Sequence, residues 1–178
     1  MRLNNAATVA DLLRMPEDGH KYELVDGEIH VTPSGMRHSE IALQIAYLLK
    51  CFLEQSPVGK VYTTDVGIQL PDGNVRSPDV CFVRTEKLPG GESPETFGEL
   101  VPDLVVEVLS PTDNPRLVAD KIGEYIQCGV PLVWLVDPKQ KTVTVFRSLT
   151  DTSQITSTGT ITGEPVLPSF TCKIARFF

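Results

Sequence analysis

The segment 103–109, Asp-Leu-Val-Val-Glu-Val-Leu, most limits how this chain can fold. Its branched aliphatic residues predict a strand. Alternation sets Leu104, Val106 and Val108 on one face and Asp103, Val105, Glu107 and Leu109 on the other. Apolar residues occupy both faces, so the strand belongs at the centre of a covered sheet. Glu107 then lies mid-strand among apolar neighbours. A carboxylate in that place needs a cation, a metal or a raised pKa, because burying an unpaired charge is costly. A structural salt bridge is one use of such a group and a functional site is the other.

The rest of the chain supplies partners for that strand. Thr8 and Asp11 form a capping-box pattern for a short helix ending at Arg14, with a break at 15–19. Residues 21–31 hold two β-type runs around Asp26-Gly27, a hairpin signal. A turn at 33–35 precedes a long helix over 37–55, in which Ile41, Ile45, Leu48, Leu49 and Phe52 recur at helical spacing and Ser56-Pro57 ends the run. Strands are expected at 60–70, 79–84, 132–136 and 142–147. Asn114 caps and Pro115 opens a second core helix, which Gly129 closes. Residues 85–102 read as an exposed loop with one helical turn, and 150–163 as a weak strand at best. Phe170, Ile174, Phe177 and Phe178 are expected to pack the C-terminus on the core. The whole, residues 1–178, reads as a single mixed α/β domain around one sheet.

Composition narrows the function classes. The chain has 178 residues and a formal charge of −7. The charge is uneven: residues 1–110 hold 9 basic and 17 acidic side chains, and residues 111–178 hold 7 and 6. A polyanion binder working through a broad basic surface is excluded. The first residues contain no apolar signal region and no run is long enough for a membrane helix. The four cysteines lie far apart among apolar residues, so buried free thiols in a reducing cytoplasm are expected rather than a zinc site or disulfides.

Two further residues point toward Glu107. On a helical wheel of about 100° per residue, Lys121 falls in the apolar arc with Leu117, Val118, Ile122, Tyr125 and Cys128. Arg116, Asp120, Glu124 and Gln127 fall on the opposite side. A core-facing lysine either snorkels to water or meets a buried carboxylate. Asp79 opens an apolar strand just after Ser77-Pro78, either as a turn residue or as a second carboxylate. Asp79, Glu107 and Lys121 together have the make-up of metal-dependent phosphodiester hydrolysis. Two carboxylates hold Mg2+ or Mn2+, and a lysine positions the attacking water or neutralises developing charge.

Residues 22–29 (YELVDGEI), His38, 77–80 (SPDV), 102–113 (PDLVVEVLSPTD), Lys121 with Tyr125, Gly129-Val130 and 133–138 (VWLVDP) together resemble the Uma-type family, formerly a domain of unknown function. That family is a branch of the PD-(D/E)xK restriction-endonuclease-like superfamily. The resemblance spans nearly the whole chain. It implies a restriction-endonuclease-like core, a central mixed sheet flanked by helices, with the N-terminal helix and hairpin added. Asp79 matches the first motif aspartate and Glu107 the second acid. The motif lysine would stand at 109, which is Leu109 here. In this branch Lys121 on the following helix is the match. Glu23 is a further acidic candidate or a hairpin surface charge, Glu40 on the long helix a candidate or a solvent-facing residue, and His38 a helper at the helix start rather than a catalytic group.

The resemblance implies a Mg2+- or Mn2+-dependent endonuclease on DNA, with in-line attack by water and loss of the 3′ oxygen. Paired cutting of two strands would need a homodimer, and the isolated chain should bind DNA weakly and in a salt-sensitive way. A non-catalytic dimeric binding or assembly module on the same fold is the alternative. A sugar hydrolase built on paired carboxylates would leave the core-facing lysine without a role.

Overall fold

A computed structural model describes residues 6–16, 18, 20–32, 35–63 and 66–178. The breaks expected at 15–19 and 33–35 fall partly outside these residues, as do positions 64–65 of the strand expected at 60–70. In chain order the elements are α1 (Val9–Leu12), β1 (Lys21–Val25), β2 (Glu28–Thr32), α2 (Met36–Gln55), β3 (Gly59–Thr63), β4 (Ile68–Gln69), β5 (Val75–Arg76) and β6 (Val80–Arg84). After two single 3-10 turns come β7 (Gly98–Glu99), β8 (Leu104–Val108), α3 (Pro115–Gln127), β9 (Val133–Asp137), β10 (Thr142–Phe146), β11 (Thr152–Thr156), β12 (Thr160–Gly163) and β13 (Leu167–Lys173).

The strands form three sheets rather than one. Six run in the order β11-β10-β9-β8-β6-β3, five in the order β2-β1-β5-β4-β7, and β12 pairs with β13. The six-stranded sheet is mixed: β8 and β9 are parallel and its other pairs antiparallel. All five residues of β8 are buried, as its two apolar faces require. On one face Val80, Phe82, Leu104, Val106 and Trp134 pack against Ile41, Ile45 and Leu49 of α2. On the other Cys81, Val105 and Val133 pack against Ile122 and Tyr125 of α3. Glu107 lies two residues beyond Val105 and shares its face, so it points to the α3 side.

Local chemistry explains most of the boundaries. Thr8 and Asp11 make the reciprocal capping box, although the helix closes at Leu12 rather than Arg14. Asp26 and Gly27 both take positive φ, 50° and 76°, which a two-residue turn between twisted strands needs. Asn114 caps α3 by accepting from the Arg116 N–H at 2.9 Å, and Gly129, at φ 94°, ends it. Phe170 and Phe177 are buried beside Trp134, with ring centres 6.0 and 6.2 Å from it, so the C-terminus packs on the core.

Three expectations are corrected. The run 60–70 serves two sheets, since β3 and β4 lie in different ones. The change of sheet comes beside Gly67, where a Cβ would stand 2.2 Å from the Phe97 ring. The weak tail over 150–163 is two strands, β11 and β12; β11 is an exposed edge, so its residues show no buried face to reveal it. All four cysteines are free, but only Cys81 and Cys172 are buried. No helix among the described residues is long and apolar enough to cross a membrane.

Candidate active site

The two larger sheets and both core helices deliver charged side chains to one cavity of about 800 Å3. The β6/β8 register pairs Val80 with Val106 and Phe82 with Leu104. One step further along that register, Asp79 stands opposite Glu107, with both side chains on one face of the sheet. The five-stranded sheet contributes Lys21 and Glu23, two residues apart on β1 and therefore on one face, and Arg76 from β5. Ser77-Pro78-Asp79 is the link from β5 to β6, so it ties the two sheets at this point. Helix α3 brings Lys121, Glu124 and Tyr125, and the first turn of α2 brings His38.

Lys121 is the hub. Its Nζ lies 3.0 Å from Glu23 Oε1 and 2.9 Å from Glu107 Oε1. Tyr125 donates its hydroxyl to the same Glu107 oxygen at 2.8 Å. Among the described residues nothing bonds Glu107 Oε2. Glu23 also accepts from the Ser77 N–H at 2.9 Å and from Arg76 Nη1 at 3.3 Å. Arg76 in turn makes a fork with Glu124, which Asn74 also reaches. Asp79 is bound on both oxygens: Lys21 Nζ lies 3.1 Å from Oδ1, while His38 Nε2 lies 2.9 Å and the Val108 N–H 2.8 Å from Oδ2.

These neighbours set the protonation states. Burial works against the charge of Asp79, yet His38, Lys21 and the Val108 N–H outweigh it and hold the carboxyl well below its usual range. Glu23 is likewise buried but lowered, chiefly by Lys121 and Lys21. Glu107 moves the other way: burial raises it, Lys121 only partly compensates, and the Asp79 charge pushes it further up. Burial also opposes the Lys121 ammonium, but Glu107 and then Glu23 hold it firmly cationic. The Asp79 hydrogen bond raises His38 despite its burial.

The structure therefore brings together Asp79, Glu107, Lys121 and Glu23. Glu23 is buried and not a hairpin surface charge. Glu40 is exposed and away from the cavity. His38, read as a helper at the helix start, lies in the first turn of α2 and bonds Asp79 directly. Glu124 lies inside the cavity wall because Arg76 reaches it across the sheets, although its helical phase put it outward. Leu117 overhangs the cavity and is 65 % exposed, although it shares the apolar arc. Lys21 and Arg76 were not anticipated. Lys21 had a signal, its two-residue spacing from Glu23 on one strand; Arg76 had only its place beside an apolar segment.

The donor set suits a hard cation. Asp79, just before β6, and Glu107 on the neighbouring β8 supply carboxylate oxygens, and Glu107 has an oxygen not taken by any described residue. Among the described residues no three His, Cys, Asp or Glu side chains form a ready metal cage. Mg2+ fits such a site because it keeps several waters and takes one or two carboxylates plus substrate phosphate.

A mixed sheet flanked by helices, with paired carboxylates and a lysine on one face, is the restriction-endonuclease-like class of fold. A solved structure, a putative nuclease belonging to DUF820 from Anabaena variabilis, superposes with a TM-score of 0.84 over 96 % of this chain and 97 % of that one, at 21 % identity. The family model Uma2, described as putative restriction endonuclease, matches residues 9–175. The chain belongs to the Uma2 family. No curated protein matches it.

Proposed function

We propose that this protein is a divalent-metal-dependent endonuclease that hydrolyses DNA phosphodiester bonds. The observation that carries the reading is the bridge by Lys121 between Glu23 and Glu107, beside Asp79, in one open cavity. Glu23 and Glu107 come from separate strands, Asp79 from the link just before a third and Lys121 from a helix, so residues distant in sequence meet here without any local pattern that requires it. The family's description and the nuclease title of its structural neighbour support the same class.

In this reading Asp79 and Glu107 hold Mg2+ or Mn2+. The cation, when bound, acidifies a water and draws charge from the phosphate. Lys121 holds the attacking water and offsets charge on the phosphate oxygens. Glu23 and Tyr125 keep Lys121 and Glu107 in place. Water adds to phosphorus in line, the bond to the 3′ oxygen breaks, and the products are a 5′-phosphate and a 3′-hydroxyl. Lys21 and His38 must release Asp79 before a cation takes it. Cutting both strands of a duplex in one encounter takes two copies, hence a homodimer. The free thiols suit a reducing cytoplasm.

The test is cleavage of supercoiled plasmid and of circular single-stranded DNA with Mg2+ or Mn2+. Wild type should cut, and Asp79→Ala and Lys121→Ala should each lose at least about a hundredfold. Equal activity in all three, or activity that persists in EDTA, overturns the proposal. One observation favours a non-catalytic module instead: Lys21 and His38 already satisfy both oxygens of Asp79. Calorimetry separates the two, since a module would bind no divalent metal at millimolar concentration.

A further inference from the structure

Beside the charged cavity, and sharing part of its wall, lies a second space of about 410 Å3. Its apolar wall includes Leu109, Val118, Ile122, Leu135, Phe146 and Leu149, with Asp113 at the border shared with the charged cavity. The first four of these also line the charged cavity. Leu135 pairs directly with Glu107 in the β8/β9 register, and Phe146 lies one strand further on, opposite Val133. Strands are spaced by about 5 Å. The apolar space therefore begins roughly 5–10 Å from the proposed scissile position, the span from a phosphate to its own base within one nucleotide.

Two independent features mark this space as built for a ligand. Gly123 stands in the interior of α3, where glycine disfavours a helix. A Cβ there would meet nothing within 4 Å, so no close packing demands a glycine. Gly123 borders both cavities, and open space stands where its Cβ would be. The second feature is charge. Eight carboxylates line the main cavity against three lysines or arginines, and each of those three is already paired to a carboxylate. Duplex DNA is gripped mainly through phosphate contacts to spare lysine and arginine. This cavity wall offers no spare one, so affinity beyond what Lys121 and a bound cation contribute at the reacting phosphate has to come from apolar contact.

We infer that the apolar annex receives an unpaired nucleobase, and that the substrate is a single-stranded segment of nucleic acid. The inference rests on the nuclease reading and deepens it. A paired base would first have to leave its stack, whereas an unpaired one enters freely. The Phe146 ring and the leucines offer a flat apolar surface that any base can use, so little sequence preference is expected.

The test is fluorescence anisotropy with a labelled oligo(dT) 12-mer, alone and annealed to its complement, in Ca2+. Wild type should bind the single strand about tenfold tighter than the duplex, the scale of one stacked base. Gly123→Phe, which puts a ring at the border of the two cavities, should bring single-strand binding down to the duplex level. Gly123→Ala should keep it. Leu149→Ser, at a position 57 % exposed and therefore safe for folding, gives an independent reading and should weaken the single strand only. Equal binding of both forms by wild type, no measurable single-strand binding, or a folded Gly123→Phe and a Leu149→Ser that both bind like wild type would overturn the inference. Strand preference without any metal-dependent cleavage would leave the annex standing and remove the nuclease reading. Metal-dependent cutting with no strand preference would do the reverse.

Discussion

Lys121 neutralises two carboxylates that burial would otherwise penalise, so removing it should be felt in the fold as well as in any chemistry. Lys121→Met leaves Glu23 and Glu107 facing each other without their shared cation. Breaking one side of a buried ion pair costs about 3–5 kcal/mol. Urea unfolding in EDTA should therefore show a loss of about 3 kcal/mol. Adding Glu107→Gln to that variant should recover part of it, because the remaining Glu23 charge is then held by Arg76, the Ser77 N–H and the nearby Lys21 without a second carboxylate opposing it. His38 and Asp79 give a second residue-level expectation. His38 is raised, so its contribution is complete below its ordinary pKa of about 6.5 and fades as pH climbs through the folded value. Asp79 is lowered, so its share is complete above about 4 and fades on acidification. Metal-free wild type should lose stability between pH 6.5 and the alkaline side, and the gap between wild type and His38→Gln should close over that range, as followed by urea unfolding. Residues with a pattern were legible from sequence: Glu107 through its apolar neighbours and Lys121 through its helical phase. Arg76 and the inward turn of Glu124 were not, because each depends on contact between two sheets that no local pattern encodes.

At the scale of elements, the same division holds. The hairpin at Asp26-Gly27, the long helix and the capped α3 were readable because turn, cap and period act over a few residues. The exposed edge β11 and the split of 60–70 between two sheets were not, because a solvated edge has no buried face and the close approach of Gly67 to the Phe97 ring is a contact distant in sequence. Helix α3 matters most for the site, since it carries Lys121, Tyr125 and Glu124 together. Its start is fixed by Asn114, whose side chain holds the Arg116 N–H. Asn114→Ala should cost about 1 kcal/mol and Asn114→Asp nearly nothing. Thermal melts of both variants check this. Cleavage by Asn114→Ala should fall less than by Lys121→Ala, because the buried Ile122 and Tyr125 still dock the helix.

For the molecule as a whole, the acidic balance divides into two parts with different consequences. Residues 85–102 carry a net −3, and none of them lines the charged cavity. Part of that charge is already met locally, as Lys60 pairs with Glu92 at 2.9 Å. The carboxylates at the site are different, since their charge is concentrated where a cation would sit. Salt at high concentration screens the exposed loop charges and reaches the buried site carboxylates much less. Mg2+ at modest concentration should act on the second alone, through binding to the folded state. A ligand at a hundred times its Kd adds about 2.7 kcal/mol. In a chain of this length that raises Tm by roughly 5–10 °C. Wild type should show this rise in Mg2+, whereas NaCl of matched ionic strength should move it little. Asp79→Asn should lose the Mg2+ response and keep the NaCl one. Equal shifts in the two salts would mean that the cavity holds no specific cation. The charge asymmetry would then be a property of the surface alone.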